Sequence, residues 1–209
     1  QAEDQRDLMV ALMIGGLIYS VPMLIEVRLS PQLNMWIYGY YQHDFIQTMR
    51  FGGFRPMVFL YHGIWAAFFL LMAIVAAFAL WKTGTFKSNW KILAIAVCLT
   101  GVLVLAKSLG AWLFAAVLIP VIVLFGMRWQ MRLAVCIAAF AITYPALKGA
   151  GLVPETQILA FAESIDPDRA ASLDFRFTNE NRLLERAQEK PLFGWGNYDR
   201  NQIMNPANG

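Results

Sequence analysis

Residues 57–81 read MVFLYHGIWAAFFLLMAIVAAFALW, a run without a single Asp, Glu, Lys or Arg. A hydrocarbon layer about 30 Å thick is crossed by roughly 20 apolar residues in a helix, and inside it every backbone polar group must be satisfied within that helix. The run meets both conditions, so the fold is expected to be helical and membrane-embedded. Reading outward, no carboxylate occurs between Asp44 and Glu155. A soluble domain spreads charges of both signs over its surface, and a gap of that length, with 58% apolar residues and a mean hydropathy of +0.50, indicates a bilayer environment.

Four more stretches qualify: Leu8 to Ile25, Ile92 to Ala106, Ser108 to Met127 and Leu133 to Leu147. With the opening run, Met57 to Trp81, they predict an all-α, multi-pass transmembrane helical bundle of about five spans. The third and fifth are short and must borrow flanking residues, tilt, or rely on Lys107 and Lys148 reaching to the interface. Residues 1–153 are thus read as helices and short loops. Residues 154–209 carry six basic and nine acidic side chains and are read as the beginning of a polar extracytoplasmic segment. The chain opens at Gln1 and stops soon after a Gly-rich turn, and is expected to be an excerpt of a longer protein. Cys98 and Cys136 fall inside predicted spans, where they act as small apolar side chains rather than a disulfide or metal set. A pI of about 9.0 does not point to nucleic acid, because the basic residues are spread among loops.

Lys82, Lys87 and Lys91 crowd the connection after the second span, and Arg128 and Arg132 the six-residue connection after the fourth. Short basic loops stay in the cytoplasm. Alternation then places the loop from Val27 to Arg55, the turn at Lys107 and the tail on the opposite, outer face. Arg28, Arg50, Arg55, Arg169, Arg176, Arg182, Arg186 and Arg200 all belong to that face. Arginine contacts phosphate bidentately and keeps its charge when partly desolvated, so the cluster suits an anionic lipid headgroup.

In RFGGFRPMVFLYHG, residues 50–63, Pro56 suits a first helical position, and Arg55, Phe59 and His62 recur at helical spacing. His62 would then lie about 10 Å of helix rise below Arg55. It is read either as a proton acceptor or hydrogen-bond donor in chemistry, or as one end of an interhelical hydrogen bond. His43, among Tyr38, Tyr40 and Tyr41, reads chiefly as part of an interfacial aromatic belt. Lys107-Ser108-Leu109-Gly110 reads as a snorkelling lysine in a hairpin turn or as a phosphate contact. Pro120 should kink the fourth span and Pro145 bend or end the fifth. In the tail, Asn179 to Lys190 is expected to be a short amphipathic helix, capped by Asn179 and stopped by Pro191, with Arg182 and Arg186 on one face. That face is either solvated, with i, i+3 pairs to Glu185 and Glu189, or turned to lipid phosphates. Asp166, Asp168 and Asp174 lack EF-hand spacing, so no metal site is expected. No nucleotide-binding glycine motif, nucleophile elbow or zinc signature is present.

Residues 172–196, SLDFRFTNENRLLERAQEKPLFGWG, resemble the outer-loop signature of the O-antigen ligase and Wzy-type polymerase family of bacterial membrane glycosyltransferases. There an arginine precedes a helix ending in a Pro-Leu-Phe-Gly-x-Gly turn, matched by Arg176 and Pro191 to Gly196. Glu180 stands where an aromatic is common. The Lys107 turn is similar to the family's Ser-Arg-Gly-Ala segment, with Leu109 in place of its arginine. SPQLN at 30–34 and RPMVFLYHG at 55–63 look like the upstream part of members that assemble O-antigen or exopolysaccharide. The resemblance implies a glycan carried on undecaprenyl diphosphate, transferred to a hydroxyl of a saccharide acceptor in the bacterial inner membrane, with no cofactor, nucleotide sugar or metal. Together with the outward cations and His62 read above, it points to Arg176, Arg55 and His62 as catalytic residues, with Arg182, Lys107, Arg50 and Arg186 binding diphosphate or glycan. The competing expectation is a lipid-linked glycan transporter or flippase without chemistry.

Overall fold

The structure, a computed structural model, describes residues 2–42, 44–50, 52–84, 86–165 and 167–196. His43, Asp166 and Arg200 lie outside the described residues. Among the described residues the chain is all-α apart from one small ribbon. Helices α1 (Ala2–Leu29) and α2 (Leu33–Tyr38) precede a 3-10 turn, Phe45–Thr48, and an antiparallel ribbon of β1 (Met49–Arg50) with β2 (Gly53–Phe54). Then follow α3 (Gly63–Thr83), α4 (Asn89–Leu105), α5 (Leu109–Leu124), α6 (Met127–Gly149), α7 (Glu155–Ile165) and α8 (Pro167–Gln188). Two compact units result, Gln1–Gln130 and Met131–Gly209.

In the first unit α3 is the central helix, and α1, α4 and α5 all pack against it. Its sequence explains why. It is apolar all round, as a helix enclosed by others must be, and Ala66, Ala67, Ala73, Ala76 and Ala77 let neighbours approach closely. Those alanines are buried together with Leu70, Ile74 and Leu80. Helix α1 crosses at Gly16, where an added Cβ would overlap the Ala73 side chain. Helices α4 and α5 contribute Ala96, Leu99, Leu103, Ala111 and Ala115 to the same core. Their opposite faces, with Val97, Val104, Leu113, Phe114 and Val117, are exposed and apolar. At one end of the unit, Lys82 Nζ donates to the carbonyls of Ile122 and Phe125 at 2.6 Å each, closing the C-terminus of α5.

Helices α1, α3 and α6 are long and apolar enough to cross a membrane. Helices α4 and α5 are shorter, at 17 and 16 residues.

Four expectations need correction at their boundaries. The second span does not begin at Met57, because residues 56–62 form turns and α3 starts at Gly63, with His62 rather than Pro56 at its head. Arg55 and His62 therefore do not share a helical face. The six-residue connection after the fourth span shrinks to Phe125-Gly126, and Arg128 and Arg132 belong to α6. Hydropathy marks the bilayer, whereas a helix runs on into water as long as its side chains tolerate it. The tail helix is 22 residues long, and Asn179 sits inside it, donating from Nδ2 to the Phe175 carbonyl at 2.9 Å. It caps nothing. Pro145 does not end its helix, which continues to Gly149.

The crossing at Gly16 supplies a stability test. Gly16→Leu should lower the unfolding midpoint of detergent-solubilised protein, since overpacking costs about 1–3 kcal/mol. Gly101, whose added Cβ would meet open space, is the control, and Gly101→Ala should leave the midpoint unchanged or raise it.

Candidate functional site

The end of the first unit opposite Lys82 is organised by a buried carboxylate. Glu26, in the last turns of α1, is 1% exposed. Its Oε2 accepts from the backbone N–H of Met57 at 2.9 Å and of Val58 at 2.7 Å, and its Oε1 from Leu33 N–H at 3.2 Å. Residues 56–62 are neither helix nor sheet, so their buried amides need acceptors from elsewhere. Tyr19, two turns earlier on α1, donates from Oη to the Met57 carbonyl at 3.2 Å and accepts from Phe59 N–H at 3.1 Å. Gln42 Nε2 donates to the Val58 carbonyl at 2.7 Å. Val58 itself has φ +55°, costly for a β-branched residue and tolerated only where its surroundings over-determine it. Here both flanking amides and both flanking carbonyls are engaged by side chains.

This fixed segment carries Arg55. The Arg55 N–H donates to the Thr48 carbonyl at 2.8 Å, joining it to the ribbon. Its side chain, 9% exposed, lies against Gly63, where an added Cβ would come within 2.8 Å of Cδ and 2.9 Å of Nε. At its tip, Nη2 donates to Ser108 Oγ at 3.2 Å. Next to Ser108, Lys107 adopts φ +53° and turns its ammonium onto Gly53 so closely that no Cβ would fit there. The ribbon and the α4–α5 turn are thus interlocked, with Arg55 on Ser108 and Gly53 on Lys107. Arg55 and Lys107, more than 50 residues apart in sequence, are thereby placed at the same end of the bundle.

His62 stands at the head of α3, and its Nδ1 accepts from Ile64 N–H at 3.0 Å. A ring that accepts at Nδ1 carries its neutral-state proton on Nε2, so in that state His62 offers a donor rather than a base. Arg50 is placed by its backbone, paired with Gly53 in the ribbon.

The second unit has its own charged cluster. Lys148, in the last turn of α6, has a side chain 1% exposed. Its Nζ lies 2.7 Å from Glu180 Oε2, 3.2 Å from Glu155 Oε1 and 4.4 Å from the ring centroid of Phe177. Tyr144 Oη donates to the same Glu180 oxygen at 3.0 Å, and Asn181 Nδ2 donates to Glu155 at 3.1 Å. One lysine therefore ties α6, α7 and α8 together. The hydrogen bond from Lys148 holds the Glu180 carboxyl below the usual range against the opposing effect of burial, and Tyr144 and Arg176 act in the same direction.

Arg176 is exposed on α8, one turn before Glu180. Arg182 is also exposed, on a different side of the helix, whereas Arg186 is engaged locally. The Arg186 guanidinium stacks on Trp195 at 3.3 Å from the ring centroid, its Nη1 meets Glu189 at 2.7 Å, and its carbonyl accepts from Trp195 Nε1 at 2.7 Å. Lys190 covers the same ring at 3.9 Å. The Pro191 to Gly196 turn is folded onto the end of α8 by these contacts.

Sequence reasoning missed Glu26 and Tyr19. The one available signal was Glu26 itself, the first carboxylate after a long apolar run, which the hydropathy boundary at Ile25 consigned to a loop.

The Lys148 cluster predicts a specific response to acid. A depressed Glu180 pKa contributes stability at pH values above the ordinary glutamate range, and that contribution is lost as pH falls through the folded-state value. Glu180→Gln should flatten the decline of unfolding midpoint on acidification. Lys148→Met should lower stability at neutral pH by roughly 1–3 kcal/mol, toward the lower figure because Glu180 is partly solvated, and the midpoint should fall with it. An unchanged midpoint in Lys148→Met would refute the clamp.

Among known proteins, a family described as O-antigen ligase matches residues 94–209. No curated protein and no solved structure matches the chain. The matched region contains the Lys107 turn, the Lys148 cluster and all of α8 with its terminal turn, and it is more than half of the 209 residues. The chain belongs to the O-antigen ligase family.

Proposed function

We propose that this membrane protein transfers a glycan from undecaprenyl diphosphate to a hydroxyl of a saccharide acceptor, in the assembly of O-antigen or exopolysaccharide. The observation that carries this reading is that Arg55, leading into a segment fixed by side-chain bonds, and Lys107, on the turn that Arg55 reaches through Ser108, lie at one end of the first unit. In the reaction the acceptor oxygen attacks the anomeric carbon, the bond from that carbon to the diphosphate breaks, and negative charge develops on the departing phosphate. Preorganised cations are the means of stabilising such charge, because they need no rearrangement as it appears. Arg55 is backed by Ser108 and Gly63, and Lys107 by Gly53, so both are held before the substrate arrives. Arg176 on α8 is assigned to the diphosphate on the strength of the family signature, with Arg182, Arg186 and Arg50 as glycan or headgroup contacts. His62 acts as a donor through Nε2 to a phosphate or sugar oxygen, and the acceptor proton passes to a different group. Fixed cations, rather than a bound metal, carry the leaving group in this reading.

The five apolar helices cross the bacterial inner membrane in alternation. Lys82, Lys87, Lys91, Arg128 and Arg132 then face the cytoplasm, and Arg55, Lys107 and Arg176 face the periplasm.

The test is transfer by full-length protein in detergent or proteoliposomes, given lipid-linked oligosaccharide and acceptor. Arg55→Ala and Arg176→Ala should each lower the rate by about 10²-fold or more, in keeping with removal of a preorganised electrostatic contact. Arg55→Lys should recover only part of it, because the bidentate fork is lost. Product formation should persist in chelator. Full activity in either alanine variant removes that arginine from the site, and exchange of lipid between leaflets without a new glycosidic bond would establish a flippase instead.

A further inference from the structure

Helix α7 presents two apolar sides. Glu155, bonded to Lys148 and Asn181, marks the side turned toward α8, and Leu159 and Ala162 on that side are half-buried. At about 100° per residue, Ile158, Phe161 and Ile165 form a second apolar ridge within an arc of about 60°. They are 38%, 68% and 68% exposed. Thr156, Ala160 and Glu163 occupy the side away from this ridge, and the polar Gln157 and Ser164 flank it. A helix needs only one apolar side to pack against its neighbour, so the ridge calls for a separate occupant.

The occupant follows from where α7 begins. Its first residue, Glu155, is held 3.2 Å from Lys148, in the last turn of α6, which is long and apolar enough to cross the bilayer. Only residues 150–154 intervene. Helix α7 therefore starts where a membrane-crossing helix ends, at the boundary between acyl chains and headgroups. No Lys or Arg lies between Glu155 and Ile165, so attraction to lipid phosphate is not what such a helix offers. Apolar insertion is.

We propose that α7 lies along the bilayer surface, with Ile158, Phe161 and Ile165 inserted among the lipids at the headgroup boundary. The consequence is positional. Helix α8, packed on α7 and clamped to α6 through Lys148, is then held at membrane level, and Arg176 with it. This holds whether or not glycan transfer is the activity.

Site-directed spin labelling of the full-length protein tests it. In a Cys98→Ser, Cys136→Ser background, single cysteines replace Ile158, Phe161 or Ile165 on the ridge and Thr156, Ala160 or Glu163 on the opposite side. Each is labelled and reconstituted into phosphatidylcholine vesicles, with and without phosphatidylglycerol. Power saturation with oxygen and with a nickel chelate then gives a depth parameter. The ridge labels should favour oxygen and the other three the nickel chelate, with the difference unaffected by high salt or by anionic lipid. Nickel access at all six positions would show the ridge in water and overturn the proposal. Exclusion of both reagents from the ridge would show it covered by protein and overturn it equally, as would loss of the oxygen preference in high salt.

Discussion

Everything at the cationic end of the first unit depends on one buried carboxylate. Glu26 accepts from Met57, Val58 and Leu33, and so joins the end of α1 to the segment that leads into α3. An ionised or neutral carboxyl buried at such a place is costly unless its oxygens are engaged, and an irregular backbone is costly unless its amides are. Each satisfies the other here. Val58 can then hold a left-handed conformation, Arg55 emerges beside Gly63, and the ribbon tip closes over Lys107. Removing the carboxylate leaves two adjacent amides without their acceptor and the Arg55 segment without its fixed end.

Carboxylates are unevenly distributed along the chain. Between Asp44 and Glu155 the charged side chains are all cations, among them Lys82, which closes α5, and Lys107, which meets the ribbon. Carboxylates return only in the second unit, where Glu155 and Glu180 are used to hold Lys148. The same separation gives the positive charge of the first unit a different use from that of the second. In the former it gathers on a segment fixed by side-chain bonds, and in the latter much of it stabilises helix packing, as with Lys148 or the Arg186 stack on Trp195.

Much of this was legible in the sequence, because burial in lipid imposes a simple rule on composition. All five apolar helices were expected as helices. What failed were the boundaries and the bonds. The expected start of α3 at Met57 came from apolar side chains, but the conformation there is set by Glu26, 31 positions away, and such a pairing leaves no local pattern. Glu180 looked like a departure from the family. In the fold it takes a polar role instead, receiving Lys148 and Tyr144, which could not be read from α8 alone. Asn179 resembled a cap because its helix was taken to begin late, whereas Pro167 provides the earlier start.

The most direct measurement is backbone hydrogen exchange at residues 55–60 in reconstituted full-length protein, with and without the Glu26 carboxylate. If Glu26 holds this segment, Met57 and Val58 exchange slowly in the native protein and much faster in Glu26→Ala, while the amides in the middle of α3 remain protected. Rapid exchange at both positions in the native protein, or protection unchanged by the substitution, would contradict the account.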